Sequence, residues 1–149
     1  MSQKIFIGSD HAAFEEKQAL AKWLEKQDYE VVDVGTKTPE RCDYPDYAKL
    51  VAAEIQKDSQ ALGVLLCGSA VGVSMTANRF KKVRAAVCHD ANQAILSRQH
   101  NNSNILCLGS RVTTEKEHQE IAKAWLASEF EGGRHTQRVA LFDDLGEKA

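Results

Sequence analysis

A chain of 149 residues is long enough to bury a hydrophobic core without metal or disulfide staples. Its 19 basic and 21 acidic side chains leave a formal net charge of -2, too weak a positive field to hold nucleic acid by its phosphates. No apolar run approaches the ~20 residues that cross a bilayer, and Lys4 with a short apolar run leads straight into Gly8-Ser9-Asp10 rather than a secretory leader, so a cytoplasmic protein without membrane contact is expected.

The apolar run Lys4–Gly8 reads as a first strand, followed by a helix whose Ala13, Phe14, Leu20, Ala21 and Leu24 share one face. A second strand is expected at Glu30–Val34. The stretch 35–46 holds both prolines, Pro39 and Pro45, and reads as a long loop; loops of that length in a compact domain are usually functional or disordered. Gly63–Cys67 forms a third strand, with a helix starting near Val71. Arg84–Cys88 and Asn104–Leu108 complete the strands, and Leu96–Asn102 closes the helix between them. Ile121, Ala122, Trp125 and Leu126 mark the last long helix, which Gly132 and Gly133 end. The strand runs are continuously apolar instead of alternating, so both faces should be covered, as in a parallel sheet. Strand–helix alternation then implies an α/β three-layer sandwich of about five parallel strands. With no repeat, linker or low-complexity tract, residues 1–149 read as one domain.

In an open parallel sheet, ligands bind beyond the carboxyl ends of the strands. That rule selects Gly8–His11, the loop after Gly35, Cys67–Gly72 and Gly109–Arg111. The third is the richest in chemistry. A buried strand ends on Cys67, small residues follow, and the next helix aims backbone N–H groups and its positive end at one point. An anion there would be stabilised, and the same field would lower the Cys67 pKa from its free value of ~8.5, making it a candidate general base. The competing reading is a plain strand-to-helix turn with a buried cysteine. Dinucleotide and nucleotide-phosphate fingerprints fail, because only Gly68 and Gly72 remain of the first and the terminal Gly-Lys-Ser/Thr of the second is absent. A cysteine phosphatase would need arginine where Val73 stands.

His100 ends a helix beside Asn101 and Asn102, and histidine suits proton shuttling at neutral pH. Arg134 and Arg138, four apart, share a face if their segment is helical, and two guanidinium forks match a phosphate dianion. Cys88 and Cys107 read as buried hydrophobes, His89 and His118 as structural, and Arg79, Lys81, Lys82 and Arg84 as a solvated turn. Cys42 completes four unpaired thiols with no C-x-x-C, which disfavours zinc and redox motifs.

Taken together, Gly8-Ser9-Asp10-His11-Ala12-Ala13-Phe14, Asp43-Tyr44-Pro45-Asp46-Tyr47-Ala48, Cys67-Gly68-Ser69, Ser97-Arg98-Gln99-His100-Asn101, Gly109-Ser110-Arg111 and Glu131-Gly132-Gly133-Arg134-His135 resemble, in order and spacing, the type B ribose-5-phosphate isomerase family, which includes relatives acting on galactose and allose 6-phosphates. The resemblance implies a Rossmann-like fold with a C-terminal helical extension, a homodimer with shared active sites, and interconversion of ribose 5-phosphate and ribulose 5-phosphate without metal or other cofactor. By match of motif, Cys67 would move the proton, His100 would open the sugar ring, and Ser69 with the Gly68–Ser74 amides, Gly72 among them, would support base and intermediate. Asp10, Tyr44 and Asn101 would contact the sugar; His11, Arg111, Arg134 and Arg138 would hold the phosphate, with His100 and the arginines drawn partly from the partner subunit. The family commonly has glycine where Ala70 stands, so a positive φ there would strain this chain. Two other readings stay open: an isomerase of a 6-phosphate aldohexose, and a non-catalytic sugar-phosphate-binding subunit.

Overall fold

The computed structural model describes residues 2–149. Five strands, β1 (Lys4–Ser9), β2 (Glu30–Asp33), β3 (Leu62–Cys67), β4 (Ala85–Val87) and β5 (Ile105–Gly109), form one sheet in the order β2-β1-β3-β5-β4, and every pairing is parallel. Six helices accompany them: α1 (Phe14–Lys26), α2 (Tyr44–Lys57), α3 (Val71–Ala77), α4 (Ala91–Asn101), α5 (Glu115–Leu126) and α6 (Arg134–Asp143), with a short 3-10 turn at His11–Ala13.

Successive side chains on a strand point to opposite faces, and the two cores divide on that rule. Ile5, Ile7, Val64, Leu66, Leu106 and Leu108 pack with Leu20 and Leu24 of α1 and Ile121 and Trp125 of α5. Phe6, Leu65, Cys67, Ile105 and Cys107 pack on the other side with Val51 and Ile55 of α2 and Val73 of α3. This is the three-layer α/β sandwich that continuous apolar strands require. The sulfur of Cys67 therefore lies on the α2/α3 side.

Two expectations need correction. The loop after Gly35 ends at Asp43, because Pro45 sits in the first turn of α2, where a missing N–H and a fixed φ favour helix. The loop is placed by a buried cation: Lys17, fully buried, pairs with Asp33, whose other oxygen accepts the Gly35 N–H at 2.9 Å. Gly35 itself has no room for a side chain, since a Cβ would come within 2.7 Å of the Ser9 nitrogen. Second, Arg84 is not a solvated residue. Its guanidinium binds the Asn102 carbonyl and the Asp143 carboxylate, both at 2.6 Å, while Lys82 pairs with Asp144. These contacts fasten the C-terminal end of α6, which buries only Val139.

Ala70 adopts φ 73°, ψ -18°, in the left-handed region, and its methyl is fully buried. The left-handed conformation costs an L-residue about 1–2 kcal/mol, and the buried methyl returns about 0.8 kcal/mol. Strain outweighs packing. Ala70→Gly is expected to stabilise the fold by up to about 1 kcal/mol, a rise in Tm of about 2–4 °C, measured by thermal unfolding; a fall would show that the methyl's packing outweighs the strain.

Candidate active site

The carboxyl ends of β1, β3 and β5 open on a cleft of about 730 Å³ lined by Asp10, His11, Arg41, Tyr44, Cys67, Gly68, Ser69, Gly72 and Arg111. All four segments selected by the strand-end rule contribute to it. Cys67 and Gly109 are register partners across β3 and β5. Beyond them the Ser110 N–H donates to the Cys67 carbonyl at 2.9 Å and the Arg111 N–H to the Gly68 carbonyl at 3.0 Å. Arg111 is thereby laid over Gly68, where even a Cβ would approach its Nη1 to 3.1 Å. Tyr44 closes the wall above Gly72 just as tightly, a Cβ there coming within 2.6 Å of the ring.

Asp10 is 7% exposed, and its Oδ1 has no hydrogen-bond partner among the described residues. A buried acceptor without a donor is costly, and this one belongs to a residue that lines the cleft. Nδ1 of His11 lies 3.1 Å from both the N–H and the carbonyl of Cys42, which ties the loop after Gly35 to the cleft. Ser69 accepts the Val71 N–H at 3.2 Å and so caps the first turn of α3. Ser74 stands apart: it is absent from the lining, and its hydroxyl donates to the Val71 carbonyl at 2.7 Å.

The remaining candidates form a second group. His100 and Asn101 end α4, while Arg134 and Arg138 share a face of α6. Nε2 of His100 is 3.4 Å from a Glu131 oxygen, and its ring stacks on His135 with centroids 4.4 Å apart. Asn101 lines a separate cavity of about 420 Å³ with Arg84 and Phe142. The end of α4 leads directly into the start of β5, whereas Cys67 lies level with the end of β5. The length of that strand, about 13 Å at ~3.3 Å per residue, separates the two groups along the sheet.

The chain matches the ribose/galactose isomerase family over residues 5–142. It is 44% identical over 137 residues to ribose-5-phosphate isomerase B of Escherichia coli K12, with 92% of each chain covered. Its fold superposes on ribose 5-phosphate isomerase B of Thermotoga maritima with a TM-score of 0.93 at 43% identity, covering 96% of this chain and 99% of that one. The Mycoplasma genitalium enzyme, solved with bound ribulose-5-phosphate, gives 0.91 at 43% identity, covering 95% and 94%. The chain belongs to the ribose/galactose isomerase family.

One residue of this family member escaped the sequence reading, and another has a more specific role than that reading gives it. Arg41 brings a third basic side chain to the cleft beside His11 and Arg111; a lone arginine in a loop carries no pattern to betray it. His118, 1% exposed on α5, donates through Nε2 to the Gly109 carbonyl at 3.1 Å. The same oxygen accepts the Thr113 hydroxyl at 3.2 Å and the Thr113 N–H at 3.1 Å. His118 thus fixes the turn that carries Arg111, a structural role of the kind expected for it. The Ser97–Asn101 motif also divides its labour. Ser97 and Trp125 both hydrogen-bond the Ser103 hydroxyl at 2.8 Å, and Arg98 lies over the Trp125 ring, so its first half anchors α4 to α5.

Of the buried cysteines, Cys67 alone lines the cleft. Burial pushes the Cys88 thiol up to about 11 and the Cys107 thiol well above its ordinary value. At pH ~8 only about one Cys88 in a thousand is a thiolate. Brief treatment with iodoacetamide should therefore label Cys67, and the half-buried Cys42, at least about tenfold faster than Cys88 or Cys107. Peptide mass spectrometry reads the order directly.

Proposed function

We propose that this chain is an aldose–ketose isomerase that interconverts ribose 5-phosphate and ribulose 5-phosphate. The observation that carries the reading is one cleft holding a thiol, an unpartnered buried carboxylate oxygen and three basic side chains, in a chain 43% identical to a relative solved with ribulose-5-phosphate. In this reading Cys67 thiolate removes the C2 proton of the open-chain aldose. The electron pair moves to the carbonyl at C1, and the resulting cis-enediolate lies against the N–H groups of the turn at 68–70 and the first turn of α3. The proton returns to C1 as the C2 hydroxyl passes its own to the C1 oxygen, leaving a hydroxyl at C1 and the ketone at C2. Asp10 accepts a sugar hydroxyl, and the arginines hold the phosphate as a remote anchor that fixes the reacting carbons near the sulfur. His100 assists opening of the furanose ring.

A cleft at one edge of the sheet and His100 at the other suit a homodimer in which a second copy brings His100, Asn101, Arg134 and Arg138 to the Cys67 cleft. Val71 and Met75 at its rim and Leu141, Phe142 and Leu145 at the C-terminal end are exposed, apolar surface that such a partner would cover. Four unpaired cysteines suit a reducing compartment, the cytoplasm.

Purified protein should convert ribose 5-phosphate in a coupled assay, with turnover insensitive to chelator and faster than on allose or galactose 6-phosphate. No turnover would leave a binding subunit; preference for a hexose would move the substrate class. Cys67→Ala should lower kcat by about 10²- to 10⁴-fold, and near-normal turnover would remove the thiol from the reaction. Cys67→Ala and His100→Ala chains, each inactive alone, should recover about a quarter of the wild-type rate when unfolded and refolded together, because half the dimers are mixed and each mixed dimer has one intact site. Absence of recovery would place each site within one chain. Arg134→Ala should raise KM more than it lowers kcat.

A further inference from the structure

His100, Glu131 and His135 are brought together from three places: the last turn of α4, the loop before α6, and the first turn of α6. The loop is fixed by the Glu131 N–H, which donates to the Gln99 carbonyl at 3.0 Å, and it reverses through Gly132 at φ 70° and Gly133 at φ 57°. One ligand atom from each of the three side chains falls within 4.8 Å of the others. The geometry points to a zinc-binding site formed by His100, Glu131 and His135, whose occupation withdraws His100 from the sugar and inhibits the enzyme.

Two imidazoles and a carboxylate are a donor set that zinc accepts, with an open fourth position for water. Zinc–nitrogen and zinc–oxygen bonds of ~2.0–2.1 Å around a tetrahedron place neighbouring donors ~3.4 Å apart. The His100 nitrogen and Glu131 oxygen already stand at 3.4 Å, long for a hydrogen bond and suited to a shared ion. The two rings now stack with 15° between their planes. An ion must lie in the plane of each ring, so binding turns them off the stack. Both are partly exposed and the motion is a side-chain rotation. The exposed Arg134 guanidinium opposes a cation only weakly across solvent, and Glu131 supplies the compensating charge.

The inhibitory consequence rests on the isomerase reading; the binding does not. The test is calorimetric titration of zinc into the chelator-treated full chain and into His135→Gln, Glu131→Gln and Cys67→Ser. Wild type and Cys67→Ser are expected to bind one ion per chain, and the other two to lose about tenfold or more in affinity. Equal affinity in His135→Gln and Glu131→Gln, loss of binding in Cys67→Ser, or no binding to wild type overturns the site. In the isomerase assay zinc should inhibit wild type reversibly. His135→Gln, compared with its own metal-free rate, should need about tenfold more metal; unrelieved inhibition would assign the effect to the thiol. A chain that binds zinc but isomerises nothing would sink the activity and leave the site standing.

Discussion

The cleft depends on the parallel register that sets Cys67 opposite Gly109. Two hydrogen bonds extend that register past the strand ends, from Ser110 to the Cys67 carbonyl and from Arg111 to the Gly68 carbonyl. A slip of one residue would turn the Cys67 side chain to the other face of the sheet and break both bonds. The register is protected by the deepest part of the core. Val64, Leu65 and Leu66 of β3 and Ile105, Leu106, Cys107 and Leu108 of β5 are all fully buried, and each alternate residue is claimed by a different helical layer. The Cys67 side chain inherits its position from residues that only pack.

Sheet polarity also decides what a single chain is able to assemble. A helix that connects parallel strands returns the chain to the amino edge, so a residue at the end of α4 cannot join one at the end of β3. His100 and Cys67 obey that constraint. If both act on one sugar, as we propose, the second copy is a geometric requirement of the connection itself. In that dimer the exposed Met75 and Val71 at the rim of the cleft would become interface.

The fold was largely legible because its signal is repeated. Five apolar runs each mark a strand within a residue or two, and their continuity, rather than alternation, identifies a parallel sheet before any partner is known. The loop boundary was misplaced at Pro45 because proline signals both a turn and a helix start, and only the packing of α2 through Val51 and Ile55 separates the two. At the cleft, strand-end residues were legible as a class, since topology alone delivers them there. Arg41 and Arg84 were not. Arg41 joins the cleft lining only in the folded chain, and Arg84 takes its role from Asn102 and from Asp143, 59 positions away; composition around them is unremarkable. Ser74 lies off the cleft lining for a local reason. It belongs to a motif that suggests a ligand, but a hydroxyl in the first turns of a helix has its own backbone carbonyl within reach, and Val71 takes it.

The least secured element carries the two arginines. α6 buries one side chain, Val139, so apolar packing cannot hold it. Its amino end hangs on two glycines in the left-handed region, and its carboxyl end on Arg84, Lys82 and the backbone pairs of Glu147 with Arg79 and Lys81. Exposed ion pairs contribute little on their own; the half-buried Arg84 with both Asn102 and Asp143 is the contact that counts. Since Arg84 also donates to the Asn102 carbonyl just past the end of α4, one guanidinium fixes α6 relative to that helix end. In the dimer we propose, His100 and the two arginines would thus be held as a unit that a partner's cleft meets whole, which asks less ordering of the encounter than gathering four free side chains would.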